Sequence, residues 1–192
     1  MTSLRPFHAL DVFTFNTTNL DPLTETYDLN FYFSYLARWP HLFNVAANHD
    51  GSISAYIMGK LESSPSHLAL TKSPHYLPYH AHITALTVSP SSRRLGLART
   101  LSSSLEMAGD TYNAWFVDLF VRKSNLVAQT LYKGLGYSVY RSVLDYYSDD
   151  PTDRSKEGED AYDMRKPLRR DVGGRHVRER GEEFEVLPED VW

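Results

Sequence analysis

Residues 81–88, Ala-His-Ile-Thr-Ala-Leu-Thr-Val, are apolar and alternating, the pattern of a strand. Leu97, Leu101 and Leu105 then recur every four residues, which predicts a helix from about 95 to 108. Upstream, 4–8 reads as a short strand. The stretches 11–19 and 28–39 read as two helices rich in aromatics: Phe13, Phe15, Phe31, Tyr32, Phe33, Tyr35 and Trp39. Pro22 breaks the chain between them. Residues 43–47 and 53–60 predict a hairpin turning at Asn48, His49, Asp50 and Gly51. The stretch 61–80, with three prolines and with His67, His75 and His80, reads as an exposed surface loop without metal-ligand spacing. Beyond the helix, 114–121 is a buried strand. Ser124 can cap a helix running to about Leu135, with Val127, Leu131 and Leu135 as its apolar stripe. Gly136 begins a last strand ending near Tyr147. The order β-α-α-β-β-β-α-β-α-β predicts an α/β fold with one mixed, mostly antiparallel sheet flanked by helices.

Composition narrows the setting. The 192 residues suit one domain with a tail, and 42% hydrophobic with 13% aromatic residues can build a sizeable core. Cysteine is absent, which excludes disulfides, a cysteine nucleophile and thiolate metal sites. No stretch approaches the roughly 18 apolar residues of a membrane span, and the first residues lack a signal-peptide pattern. The expectation is a soluble cytoplasmic protein. The net charge of −4 is unevenly spread: residues 148–192 hold 9 basic and 14 acidic side chains. A domain over 1–147, an extension over 148–170 packing on or near it, and a charged, flexible tail over 171–192 follow, with 148–160 a loop or linker. Acids match the basic residues of the tail, so nucleic-acid binding is not supported.

The chemistry concentrates where the strand at 81–88 meets the helix. Arg93, Arg94, Leu95, Gly96, Leu97 and Ala98 form a tight turn opening that helix. First-turn N–H groups have no intrahelical acceptor, and the helix dipole favours an anion beside them. Gly96 lets an anion approach the main chain closely. Further on, Asn125, Ala128 and Tyr132 fall at i, i+3 and i+7, on one helix face. Taken alone, Tyr132 reads equally well as a core aromatic.

Together these two motifs resemble the signature of the GNAT acetyltransferases. The resemblance implies that 93–98 binds the pyrophosphate of acetyl-CoA and that Asn125 and Ala128 lie along its pantetheine arm. Backbone groups of Leu86 and Val88 then hold that arm like an added strand. Tyr132 is implied as the acid that protonates the leaving thiolate. Within the superfamily, residues 1–61 and 81–166 resemble the catalytic subunits of the NatB N-terminal acetyltransferases. The likeness is carried by LDPLTETY at 20–27, HITAL at 82–86, RRLGLA at 93–98, VDLFVR at 117–122, LGYSVYR at 135–141, Tyr146 and Tyr147, and EDAYDMRK at 159–166.

That likeness implies acetylation of proteins beginning Met-Asp, Met-Glu, Met-Asn or Met-Gln. Tyr27 and Phe120 would hold the methionine, Tyr146 and Tyr147 would clamp the peptide backbone, and His82 and Thr84 would read the second residue. Glu25 and His82 are both candidates for the general base, and Glu25 can equally hold its loop or pair with the substrate ammonium. No metal is implied. A large helical-repeat auxiliary subunit is the implied partner, contacting the aromatic N-terminal helices, with nascent chains at the ribosome as substrates and neither membrane nor direct nucleic-acid contact. Alternatives remain open: an N-terminal acetyltransferase of other specificity, a GNAT enzyme for lysine or small amines, or a silent GNAT-like binding subunit.

Overall fold

The computed structural model describes residues 2–63, 79–148 and 158–191. Contacts divide the chain into two units: Met1–Leu61 with Ala81–Tyr112, and Glu62–His80 with Asn113–Trp192.

The first unit carries, in this order, β1 (Thr2–Pro6), β2 (Phe43–Asn48) and most of β3 (Ile53–Ser63) and β4 (Tyr79–Val88), whose residues 62–63 and 79–80 belong to the second unit. β1 and β3 both run antiparallel to β2, and Gly51 turns the hairpin at φ +82°. The aromatic N-terminal segment supplies much of the core. Phe7 stacks on Phe43 at 3.9 Å, while Phe15 meets Tyr32 and Tyr56 edge-on at 5.2 and 5.4 Å. The Asn19 side-chain carbonyl accepts from the buried hydroxyls of Tyr56 (2.6 Å) and Tyr32 (3.1 Å), so two core phenols share one acceptor.

The first predicted helix is not continuous. A 3-10 turn, Ala9–Phe13, precedes a four-residue α1, Asn16–Asn19. Asp11 fixes the start of this turn: its carboxylate is held by Arg5 in two bonds of 2.6 and 2.9 Å and by the His8 N–H at 2.8 Å. The second helix, α2 (Leu29–Arg38), is capped by Asp28, which accepts from the Phe31 N–H at 2.8 Å. α3 (Leu97–Thr111) buries Leu101 and Leu105, and its close approach depends on Gly59 of β3. A Cβ there would lie 2.5 Å from Leu105 and 2.7 Å from the His82 carbonyl.

The second unit orders its strands β5 (Phe116–Arg122), β7 (Glu159–Pro167), β6 (Ser138–Tyr147) and β8 (Glu185–Val186), with α4 (Leu126–Gly134) between β5 and β6 in the chain. β7 is antiparallel to both its neighbours, and β8 runs parallel to β6, so the pairing is mixed.

β7 corrects only the end of the linker expected over 148–160, since Glu159 and Asp160 already belong to the strand. Its buried face carries Asp163 and Arg165, which masks the hydrophobic alternation. Asp163 accepts from the Arg141 Nε at 2.8 Å and from Arg165 at 2.8 and 3.0 Å. The charged C-terminal segment, expected to be flexible, follows a packed path here. Asp171 is buried and accepts from the N–H groups of Arg175 and His176, Arg178 stacks on Tyr140 at 3.8 Å, and Val191 is buried.

Two further expectations need correction. His80 was expected in an exposed loop but belongs to β4 and is 3% exposed, stacked on Phe116 at 4.9 Å. His67, His75 and most of the predicted 61–80 loop lie outside the described residues, as does 149–157. On α4, Val127 is 71% exposed and not core, whereas Tyr132 and Leu135 are buried. No helix among the described residues is long and apolar enough to cross a membrane.

Candidate active site

The site residues expected from sequence fall in both units, and each group is built by local chain geometry. In the first unit, the strand-to-helix turn enters α3 through two left-handed positions, Arg94 at φ +66° and Gly96 at φ +80°. Gly96 is the N-cap and offers no side chain, so the N–H groups of the first turn face outward without a side-chain acceptor. Such a turn presents amides and the positive end of a 15-residue helix to an anion. A Cβ on Gly96 would meet nothing within 4 Å, so the constraint is conformational. Gly96→Ala is therefore expected to cost about 1–2 kcal/mol in urea unfolding. A variant as stable as the parent would show that the turn relaxes.

Arg93, expected from sequence at the phosphate turn, makes two contacts within the protein. Its guanidinium donates to the Val88 carbonyl at 3.2 Å and pairs with Asp21. It thereby ties the turn to the 20–27 segment, which a second bond anchors: the Thr24 and Thr87 hydroxyls lie 3.0 Å apart. These links place Glu25 and Tyr27 on a loop pinned against β4. Tyr27 stacks on Phe31 at 4.2 Å, and its backbone N–H donates to the Tyr32 hydroxyl at 3.1 Å. Glu25 is half-buried.

On β4, His82, Thr84, Leu86 and Val88 occupy alternate positions; His82 is buried and the other three half-buried. The Thr84 hydroxyl already shares a hydrogen bond of 2.9 Å with Tyr35. A ligand reading position 84 must therefore compete with, or extend, that bond.

In the second unit, Asn125 is the N-cap of α4: its Oδ1 accepts from the Ala128 N–H at 3.0 Å. This corrects the expectation that Ser124 caps the helix; the Ser124 hydroxyl donates to Glu159 at 2.8 Å instead. Two turns on, Tyr132 is 7% exposed and lies edge-on to Tyr137 at 5.5 Å. Burial pushes the Tyr132 phenol well above its ordinary range, so it stays protonated through neutral pH.

Phe120, Tyr146 and Tyr147 are brought together as a wall. Phe120 stacks on Tyr146 at 4.5 Å, and Tyr146 meets Tyr147 edge-on at 5.1 Å. The Tyr147 hydroxyl donates to the Phe120 carbonyl at 3.3 Å, and the Arg122 guanidinium lies 4.1 Å above the Tyr147 ring. The pair follows Asp145, which sits at φ +50° where the β6–β7 register shifts, and this reorients the strand end. The Asp145 N–H donates to Asp160 at 2.9 Å, and Asp160 pairs with Lys123 at 2.9 Å. Arg122 and Glu159, 3.7 Å apart, thus support the site although sequence reading gave them no role; their opposite charges on separate strands were the only signal.

Among the described residues no cluster of three His, Asp or Glu side chains is arranged to hold a metal ion.

Comparison with known proteins follows from this geometry. Residues 9–137 match the model of the acetyltransferase (GNAT) family. The catalytic subunit naa20 of the N-terminal acetyltransferase B complex of Schizosaccharomyces pombe is 50% identical over 193 residues, covering 100% of this chain and 99% of that one. A crystal structure of Chaetomium thermophilum Naa20 in complex with a bisubstrate analogue superposes with TM-score 0.89 at 56% identity, covering 99% of each chain. A structure of the NatB acetyltransferase complex bound to CoA and MES gives TM-score 0.72 at 39% identity, covering 86% of this chain and 99% of that one. The fold is therefore the GNAT fold.

Proposed function

Because the chain belongs to the GNAT acetyltransferase family and is a NatB-type N-terminal acetyltransferase using acetyl-CoA, we propose that its substrates are proteins beginning Met-Asp, Met-Glu, Met-Asn or Met-Gln. The observation that carries this specificity is the wall of Phe120, Tyr146 and Tyr147. Its stacked rings offer an apolar, polarisable surface suited to a methionine side chain. The hydroxyl of Tyr146 is suited to the peptide backbone, and Tyr27 adds a further ring for the methionine. His82 and Thr84 read the second residue. Imidazole and hydroxyl donors accept a carboxylate or an amide alike, where a fixed lysine would favour the acid.

The turn 93–98 takes the diphosphate on its backbone amides, with Arg94 adding charge and Arg93 bracing the turn through Asp21. Leu86 and Val88 hold the pantetheine arm through their backbone groups, and Asn125 and Ala128 are further candidates for contact with it. Acetyl-CoA supplies a thioester whose carbonyl carbon accepts the substrate amine. The N–C bond forms as the C–S bond breaks, Tyr132 gives its proton to the departing sulfur, and the amine loses a proton to Glu25 or His82, directly or through water. An α-amino group has a pKa of about 7.7–8, so roughly a tenth to a fifth is already neutral near pH 7. The base therefore guides proton removal more than it creates the nucleophile.

A large helical-repeat auxiliary subunit covers the N-terminal segment in this reading, the enzyme working in the cytoplasm on nascent chains at the ribosome. Phe15, Tyr32 and Tyr35 are spent on the core, but Leu10, Phe13, Leu20, Leu23, Leu29 and Phe33 stay exposed, Phe13 at 74%. Six such side chains within 24 residues support burial by a partner.

The test is CoA release with peptides beginning Met-Asp, Met-Asn and Ser, with and without the partner subunit. Both methionine peptides are expected to exceed the serine peptide in kcat/KM by about tenfold or more, as one well-filled apolar pocket allows. A serine peptide that outcompetes both overturns the specificity.

A further inference from the structure

We propose that the C-terminal segment 181–191 is a positioning strap for the peptide-binding wall, anchored by Arg141. The inference rests on the reading of Phe120, Tyr146 and Tyr147 as that wall. Gly181 opens the segment so close to β6 that a Cβ would lie 1.9 Å from the Val139 carbonyl oxygen, so the chain can cross only without a side chain there. The Ser142 N–H then donates to the Phe184 carbonyl at 2.7 Å, and Val143 pairs with Val186 in the parallel ladder of β8.

The last described residue completes the contact. Val191 is buried with Val143 and Ala161, and Phe120, Tyr146, Tyr147 and Val186 pack against this cluster. All three wall residues therefore lean on a cluster that includes the end of the chain. Arg141 holds that end from below: its guanidinium donates to the Val191 carbonyl at 2.7 Å and the Asp190 carbonyl at 3.4 Å, while its Nε is bonded to buried Asp163. Because Asp163 fixes the guanidinium, the strap is held by a rigid fork. Wall rings displaced by the loss of this support would meet the substrate's first residues less well, whereas the 93–98 turn lies in the other unit.

Steady-state kinetics of the full chain with a Met-Asp peptide test the proposal, using Val191→Ser, Arg141→Ala, Arg141→Lys and, as reference, Phe120→Ala. Val191→Ser and Arg141→Ala are expected to raise the peptide KM about tenfold with acetyl-CoA KM within twofold, since small misplacements of binding groups are costly. Arg141→Lys, which keeps one donor for the Val191 carbonyl, recovers part of the loss. A merely structural role would lower the active fraction, and with it kcat, without separating the two KM values. An unchanged peptide KM in Val191→Ser, or equal rises for both substrates, overturns the strap. A Phe120→Ala enzyme with unaltered peptide KM overturns the wall reading and the strap with it; a raised value beside a normal Val191→Ser enzyme sinks the strap alone.

Discussion

Tyr132→Phe is expected to lower kcat by about a hundredfold while leaving the KM for acetyl-CoA within twofold, the size of effect general acids supply. The substitution removes only the hydroxyl. The ring stays in its buried site against Tyr137, so packing and helix stability persist. What disappears is a proton that a phenol holds at neutral pH with or without burial; burial lifts it further above its ordinary range. A protonated phenol cannot serve as a base near neutral pH; in the proposed step it gives its proton to the developing thiolate as the C–S bond breaks, and the phenolate recovers one from solvent. An unchanged rate would remove Tyr132 from the chemistry and leave it as a core aromatic, which is how the residue reads when taken apart from the two motifs.

The largest loss of stability is expected from Asp163→Asn, about 3–5 kcal/mol in urea unfolding. Asp163 is fully buried on β7, opposite Phe120 of β5 and Arg141 of β6 in register. Its two oxygens accept three bonds of 2.8–3.0 Å from Arg141 and Arg165. Asparagine keeps the shape but turns one acceptor into a donor facing a guanidinium and removes the charge that compensates two cations. Arg165 keeps the rings of Tyr140 at 3.6 Å and Phe116 at 4.6 Å and the charge of buried Asp118, but loses the carboxylate that is bonded to it. A loss below about 1 kcal/mol would mean that water reaches the guanidiniums and that the pair behaves as a surface one.

The same triad explains why β7 was hard to read. Period-two alternation reports a strand when its buried side is apolar, and here that side contains Asp163 and Arg165. Their burial makes sense only with Arg141, 22 residues away from Asp163 in the chain. The C-terminal segment was opaque for a related reason. Half of 148–192 is charged, which suggests solvation, yet Arg178 spends its charge on the rings of Tyr140 and Phe184 and Asp171 on two backbone N–H groups. Arg93 carries a contact that its motif does not show. Its phosphate-loop context was legible, but its bond to Asp21 spans 72 residues and no local pattern announces it.

Signals of short range sufficed for the rest. Alternation located β4, a buried apolar run located β5, four-residue spacing located α3, and a glycine after two arginines marked the turn into α3, because each depends on neighbours within a few residues. The same spacing put Asn125, Ala128 and Tyr132 on α4, although Asn125 serves as its cap. Burial of individual charges, the support behind the aromatic wall and the exposure of Val127 depended on strands and segments far away in the chain. A side chain's environment is set by whatever packs against it, and that partner is chosen by the fold, not by its neighbours in sequence.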